Sequence, residues 1–549
     1  MAAATDRTAR TLKYGANAII GTLLFLVVLG AINFFAGKAL WRADLTRSKQ
    51  YTLSEATRKL LGNLNDLVNV TVFATENDTP ADWNEQRKQL RDLLYEYRLV
   101  SKNKVNYRFV DPSVDPKAKS EAESLGIREQ AMQQASSTEY SVKAGYLGFV
   151  VQYKGKSEKV PTIVPESSLE YQLTRAINKA AQLNIPTLGL VAPGGNPFMG
   201  DGGNYTLLPR FFEQEGYTIK NLEPAKLGDL KDVNALFIMD TDELSEEALY
   251  RIDQFVMNGG KLFVAASGVK IDPQTGNARA KSPNINSLLE NYGVRINQDI
   301  VEDWARAEVQ PIRTARGVVG IKNPLLMSVT DLDKKSPITD KIRQMFFAYT
   351  SSVSPSEHGT SATVTALAQT SNRSQKQEQM YTLQPDKLKA PSKEDKLEQF
   401  NLVMSVKGTV DSRYGKVDPP TLSDDKGATR TVAASEVIRT SKPEAQVVVA
   451  GSALSFYDQA LSQGSGVLNA IFLLNVADVM TRGGDMISLR SKQVEIPALK
   501  AEITETETRV AQLLVIGGVP VLLIALGLIK YYLNKLKRIR YRETYGAGS

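Results

Sequence analysis

The glycine-rich stretch Pro193-Gly-Gly-Asn-Pro-Phe-Met-Gly-Asp-Gly-Gly203 has the residue types that can cradle an anion or a polar small molecule. It lies between an apolar run, Thr187 to Ala192, and a helical pattern from about Tyr205 to Glu215, so its backbone N–H groups fall where a strand hands over to a helix. The spacing is neither that of a P-loop nor Gly-x-Gly-x-x-Gly, which makes nucleotide the weakest reading. A structural loop is the plainest reading. Contact with a small molecule or a glycan is the functional one, with Asn196, Asp201 and Asn204 as the side chains to supply it.

A second group of candidates follows the apolar run Ala235 to Met239: Asp240, Asp242 and Glu243. Carboxylates at a strand end can do acid-base work or hold calcium, but Thr-Asp-Glu-Leu-Ser ahead of a helix also reads as a capping arrangement, and the cap is the simpler assignment. Asp240 and Asp242 join Asn196, Asp201 and Asn204 as the candidate binding set, and no residue is assigned a catalytic or metal-binding role. The chain has no cysteine, so disulfides, thiolate nucleophiles and Cys-based metal sites are excluded. Its one histidine, His358, sits among Ser and Gly and reads as a turn residue. Ser267 and Ser452 follow apolar strands without a basic partner in view, and neither reads as a nucleophile. No cofactor is expected.

The elements that would position these residues alternate between strand and helix. A helix with Leu60, Leu61 and Leu64 leads to a strand Val70 to Ala74; a helix with Leu90, Leu93, Leu94 and Tyr97 on one face leads to Val105 to Val110. Further strands are expected at Tyr146 to Tyr153 and Lys159 to Val164, followed by a helix from Ser167 to Gln182. A second unit continues with strands at Thr187 to Ala192, Tyr217 to Leu222, Ala235 to Met239 and Leu262 to Ala265, a helix carrying Leu249, Ile252, Phe255 and Val256, and paired glycines at its end. This alternation predicts a mostly parallel sheet with right-handed crossovers. The strands Phe400 to Val406 and Gln446 to Ala450 and a helix from about Gly466 to Met480 complete it, and the polar stretches 370–399 and 411–434 read as long mobile loops.

At each end of the chain lies an uncharged apolar run, one between Lys13 and Lys38 and one between Arg509 and Lys530. Runs of roughly 20 residues match the hydrocarbon thickness of a bilayer, and both read as transmembrane helices, over 16–37 and 511–530. A cleavable signal peptide is the rival reading of the first run, which is long for an h-region and is followed by a poor cleavage site at Ala36, Gly37 and Ala39. The tail after the second run has six Lys or Arg and one Glu, and the positive-inside rule puts it, and hence the N-terminus, in the cytoplasm. The net charge of +7 belongs to the tails, because the residues between them hold 58 of the 67 basic and 58 of the 60 acidic side chains. A nucleic-acid role thereby loses its electrostatic basis, and the lipid bilayer becomes the expected partner of the basic ends.

The expected organisation is a cytoplasmic tail over 1–15, a transmembrane helix over 16–37, and α/β units over 38–182 and 183–485 outside the cytoplasm. A membrane-proximal stalk follows over 486–510, then a transmembrane helix over 511–530 and a basic cytoplasmic tail over 531–549.

Several segments together resemble the GldG-like auxiliary components of bacterial ABC-type transport systems, the gliding-motility ABC transporter auxiliary family. They are Arg42-Ala-Asp-Leu-Thr-Arg-Ser-Lys-Gln-Tyr-Thr-Leu-Ser-Glu-Ala-Thr57, Val70-Thr-Val-Phe73, Tyr107-Arg-Phe-Val-Asp-Pro112 and Glu170-Tyr-Gln-Leu-Thr-Arg-Ala-Ile177. The run Leu236 to Ser267 and Gly451-Ser-Ala-Leu-Ser-Phe456, leading to a helix with Asn475, continue the pattern. The resemblance implies an α/β fold in two units, the first thioredoxin-like without its Cys-x-x-Cys pair and the second similar to a class I glutamine-amidotransferase-like fold that lacks its nucleophilic cysteine. It also implies a non-catalytic subunit of the bacterial inner membrane that works with a separate ABC ATPase and permease and whose exterior units bind a substrate, an envelope ligand or a partner. An envelope tether, or an enzyme using the 193–203 crevice, is the alternative.

Overall fold

The computed structural model describes residues 52–484 apart from 78, 136–139, 164–167, 182–184, 194–197, 199–202, 226, 241–243, 272–276, 315–316, 393, 424–428 and 463, together with 487, 518, 524–537 and 539. The span expected over 16–37 and the stalk expected over 486–510, apart from 487, lie outside the described residues; of 511–530 only 518 and 524–530 are described, as helix. Among the described residues no helix is long and apolar enough to cross a membrane.

Near the N-terminus, Val68–Ala74 and Val105–Val110 pair in parallel, joined by the helix Ala81–Val100. Leu90, Leu94 and Tyr97 form the buried stripe of that helix, at the spacing that puts them on one face. Leu147–Tyr153 then adds antiparallel to Val68–Ala74, and Lys156–Val160 antiparallel to Leu147–Tyr153, which completes a four-stranded sheet. The last strand lies a few residues earlier than the apolar pattern suggests, because the turn residues Lys154 and Gly155 both take left-handed φ and close a tight hairpin.

The helix Leu169–Ala181 packs on this sheet through Leu173, Ala176, Ile177 and Ala180. Its first turn is fixed by Glu170, whose Oε1 accepts from the Ser54 amide and the Thr57 hydroxyl, each at 2.7 Å. Ser54 in turn caps the helix Glu55–Gly62 by accepting from the Thr57 amide at 3.1 Å.

An eight-stranded sheet forms the larger core. Its order is Asp331–Leu332, Thr363–Gln369, Asn401–Lys407, Gln446–Ala450, Lys261–Ala265, Ala235–Met239, Thr187–Val191, Thr218–Leu222. The last five strands are mutually parallel, as the βα alternation requires. The first three join antiparallel, so a mostly parallel sheet carries an antiparallel edge that the alternation did not predict. The reason lies between Lys261–Ala265 and Gln446–Ala450, where the chain makes a long excursion of short strands before returning.

Alternate residues of the parallel strands supply two apolar layers. Phe237, Met239, Phe263, Ala265 and Val448 face Phe212, Phe456 and Phe472. Leu236, Ile238, Leu262, Val264 and Val449 face Leu249, Ile252 and Val256 of the helix Glu246–Met257. Burial on both faces explains why these strands are continuous apolar runs.

The excursion includes both stretches expected as mobile loops, and each carries short elements. Ser374–Gln377 pairs with Ile300–Asp303, and Thr421–Ser423 pairs with Thr429–Thr431. Polar side chains tie the first stretch down: Asp303 accepts from the Ser371 amide and hydroxyl, each at 2.7 Å, and Glu302 accepts from the Gln375 and Gln377 amides at 2.8 and 2.7 Å. A reading based on apolar burial alone does not register such anchors.

A buried polar joint connects the helix Leu169–Ala181, the turn after the helix Leu207–Gln214 and the last turn of the helix Val467–Arg482. Glu215 accepts from the Tyr171 hydroxyl at 2.5 Å and from Arg175 at 3.1 Å, with its side chain only 8% exposed. Arg482 donates to the carbonyls of Glu215 and Gly216 at 3.2 and 2.9 Å and pairs with Asp478 at 3.3 Å, its guanidinium 4.0 Å from the centre of the Tyr217 ring. The Tyr217 hydroxyl donates to Asp478 at 2.5 Å; burial, then the Asp478 carboxylate, hold its pKa well above the ordinary tyrosine value. Removing one partner of a buried ion pair strands the other. Glu215→Ala is expected to loosen the helix Leu169–Ala181 by about 2 kcal/mol, seen as roughly 30-fold faster amide exchange in that helix with the amides of Ala235–Met239 unchanged.

Candidate functional site

From Thr187–Val191 the chain crosses to Thr218–Leu222 on one side; from Ala235–Met239, its neighbour, it crosses to Lys261–Ala265 on the other. The connections therefore diverge between Thr187–Val191 and Ala235–Met239, the point outside whose carboxyl ends sheets of this type place a ligand crevice. The glycine-rich loop leaves the first of these strands and Asp240 immediately follows the second.

The ends of the next two parallel strands, Lys261–Ala265 and Gln446–Ala450, are covered. Gly268, just beyond Lys261–Ala265, lies so close to the excursion that a Cβ there would stand 1.8 Å from the Asn297 carbonyl oxygen. Gly451, directly after Gln446–Ala450, meets the Ser351 carbonyl oxygen in the same way, at 2.0 Å. Ser267 and Ser452 are accordingly buried, and the Ser452 hydroxyl is committed to the Ala348 carbonyl at 2.8 Å. Both serines are structural in this setting.

Of the sequence candidates, Asn196, Asp201 and Asp242 lie outside the described residues. Asn204 is exposed, and its carbonyl accepts from the Asp458 amide at 2.9 Å. Asp240 is half-buried with φ of 41°, a left-handed conformation uncommon for a residue with a side chain, and its amide donates to the Ala265 carbonyl at 2.8 Å. Its carboxylate pairs with Lys281 at 3.4 Å. Asp240 takes no part in capping the following helix: Ser245 does so, accepting from the Ala248 amide at 3.1 Å.

The structure brings in residues that the sequence reading did not single out. Tyr205 follows Asn204, and its ring stands edge-on to Tyr457 with centroids 5.0 Å apart. The Tyr205 side chain is buried, and its hydroxyl has no hydrogen-bond partner among the described residues. Leaving such a group unpaired costs a fold about 1–3 kcal/mol. Burial raises the pKa of Tyr205 well above the ordinary value, with Tyr457 and Asp240 adding to it; burial and then Asp240 push Tyr457 up to about 12. Both phenols are therefore protonated hydrogen-bond donors at physiological pH. Lys281, 41 residues from Asp240, arrives from the start of the excursion.

Beside the tyrosines, Asp458 holds the start of the helix Leu207–Gln214, accepting from the amides of Thr206 and Leu207 at 2.8 and 2.9 Å and from the Thr206 hydroxyl. His358, the sole histidine, lies in an exposed turn 3.9 Å from Glu290. Among the described residues no group of three or more His, Cys, Asp or Glu could hold a metal ion. A groove of about 440 Å³ occurs at the opposite, amino ends of the strands, bordered by Lys231, Asn234, Tyr250 and Gln254, and has no part in the crevice.

The profile of the family described as an ABC-type uncharacterized transport system matches residues 186–476, which contain the eight-stranded sheet and the crevice. The chain belongs to this family of ABC transport auxiliary proteins. A second profile, of a domain of unknown function, matches residues 47–152 in the four-stranded part.

An uncharacterized protein of Borreliella burgdorferi (strain ATCC 35210) is 29% identical over 298 residues, which cover 53% of this chain and 57% of that protein. The match thus spans little more than half the length of that relative. Among solved structures, the mmIFT52 N-terminal domain aligns with a TM-score of 0.32 and 14% identity, over 54% of this chain and 97% of that one. A ThuA-like protein from Bacteroides uniformis aligns with a TM-score of 0.29 and 10% identity, over 56% and 97%.

The carboxylate of Asp458 replaces the missing carbonyl partners of a helix start drawn from far away in sequence. Asp458→Ala is expected to cost about 1–2 kcal/mol and to raise amide exchange at Thr206 and Leu207, whereas Asp458→Asn recovers only part of the loss, because one of the two accepting oxygens becomes an NH2 donor; exchange measured by mass spectrometry distinguishes the two.

Proposed function

We propose that this protein is a non-catalytic accessory subunit of an ABC transport assembly, anchored in the bacterial inner membrane at both ends, with its α/β units outside the cytoplasm and the crevice at Asp240 used for recognition. Family membership over 186–476 is the observation that carries this reading. The uncharged runs over 16–37 and 511–530 and the basic tail support the anchoring and the orientation. So do Ile524, Leu526, Leu528 and Ile529, which are all exposed on one short helical stretch, as lipid-facing residues are.

The proposed units run over 38–182 and 183–485. A parallel βαβ pair extended by two antiparallel strands supports a thioredoxin-like reading of the first. The parallel block with its crevice, in a chain without cysteine, supports a cysteine-less amidotransferase-like reading of the second. Phenols held protonated, beside a carboxylate that is paired with a lysine, support holding a ligand over moving a proton. Asn196, Asp201, Asn204 and Asp242 belong to the same proposed recognition surface.

The ATPase and permease are separate chains in this scheme. Full-length tagged protein, extracted in mild detergent from its own membranes, is expected to retain an ABC ATPase and a multi-span permease identified by mass spectrometry. Recovery from the membrane fraction with neither, in repeated preparations, overturns the accessory-subunit reading.

A further inference from the structure

The excursion sends out a two-stranded ribbon, Ala307–Thr314 paired antiparallel with Gly317–Val329. Its base is held, because Leu326–Val329 also pairs with Met345–Ala348 and the Asn323 side-chain amide donates to Gln310 at 2.9 Å. Beyond that base no third strand lies beside it among the described residues. A two-stranded hairpin alone in water is marginally stable, yet this one exposes Val309 and Val318, by 60% and 66%, together with Val319.

The two edges of the ribbon differ. Pro311 stands opposite Gly320 and has no N–H to give to the ladder, so the backbone groups of that pair point away from each other. Alternation then turns Val309 and Pro311 outward on one side, and Val318, Gly320 and Lys322 outward on the other. Proline shuts the first edge to an added strand, whereas the second presents an unbroken row of donors and acceptors.

That row is complementary to itself. A second copy turned about a two-fold axis at Gly320 runs antiparallel, sets Gly320 opposite its own counterpart and Val318 opposite the copy's Lys322, and forms about six backbone hydrogen bonds. Val319 then meets the copy's Ile321, and the symmetry repeats this β-branched pair. Lys322 guards such an edge against most strands. In this register its stem lies along Val318, and the two ammonium groups start four positions, about 14 Å, apart, where solvent ions screen them. An axis at Lys322 instead would oppose the two charges directly and bring Pro324, which has no N–H, into the row.

We infer that the protein forms a two-fold dimer in which the Val318–Lys322 edges of two copies pair antiparallel about Gly320, joining two ribbons into one four-stranded sheet.

The chain has no cysteine, so an introduced thiol reads the register directly. In the dimer, Gly320→Cys brings two Cα atoms about 5.5 Å apart, within disulfide reach, while those of Val318→Cys are about 14 Å apart. The new Cβ would stand 2.8 Å from Val309 Cγ1, the end of an exposed side chain with solvent to turn into. Oxidation of the full-length protein in its own membranes is expected to link Gly320→Cys into a dimer and to leave Val318→Cys unlinked. In mild detergent, sedimentation is expected to show a dimer whose dissociation constant rises at least about tenfold with Val318→Pro, which removes an outward donor and no ladder bond, and with Val319→Lys. Should Val318→Pro lower the melting temperature, Val319→Lys, a change at an exposed side chain, decides. A monomer at every concentration tested, a dimer that Val319→Lys leaves as tight, equal linking through Val318→Cys, or capture of a different chain by Gly320→Cys overturns the inference. None of these outcomes depends on which transport subunits co-purify, so the accessory-subunit reading stands or falls separately.

Discussion

A buried carboxylate has to be paired, and at Glu215 that requirement joins distant parts of the chain. Tyr171 and Arg175 reach it from the helix that packs on the four-stranded sheet, while Arg482 holds the same turn from the helix that packs on the eight-stranded one. The turn itself reverses through Gly216 at φ of 79°, which presents both carbonyls to one guanidinium. None of these groups can leave without stranding another in a poorly solvated place. The two sheets are thereby kept from behaving as beads on a flexible linker, and the start of Thr218–Leu222, an edge strand of the larger sheet, is fixed by the same joint.

The excursion has the complementary effect at the other end of that sheet. It adds antiparallel strands to one edge and also lays its backbone across the ends of Lys261–Ala265 and Gln446–Ala450. Hydrogen bonds from the Gly268 amide to the Ser351 hydroxyl at 2.8 Å, and from the Ser351 amide to the Gly451 carbonyl at 2.8 Å, close this seam. What is left of the carboxyl-end crevice is the divergence point, where the half-buried residues Asp240 and Tyr457 remain in contact with solvent.

The parallel half was legible because strands covered on both faces become unbroken apolar runs, such as Ala235 to Met239, each followed by a helical pattern. Of the excursion only the strand at Phe400 to Val406 was legible, because others such as Val353–Pro355 and Ser374–Gln377 are short, and the second pairs with a segment more than seventy residues earlier through polar contacts. The candidate site divides in the same way. Asp240 could be placed by its position after an apolar strand. Tyr205 and Tyr457 meet only because the chain returns after some 250 residues, as the bond from Thr206 to Asp458, 252 positions apart, records, and nothing local in either sequence signals that contact.

The seam made by Gly268 and Gly451 also bears on how such a protein can change. Each position admits a hydrogen atom and nothing larger, since any side chain would stand within about 2 Å of a carbonyl oxygen. Any other residue at either position would therefore press its side chain into the backbone of the excursion, next to the buried Ser267 or Ser452. Two residues without side chains thus keep the ends of both strands shut.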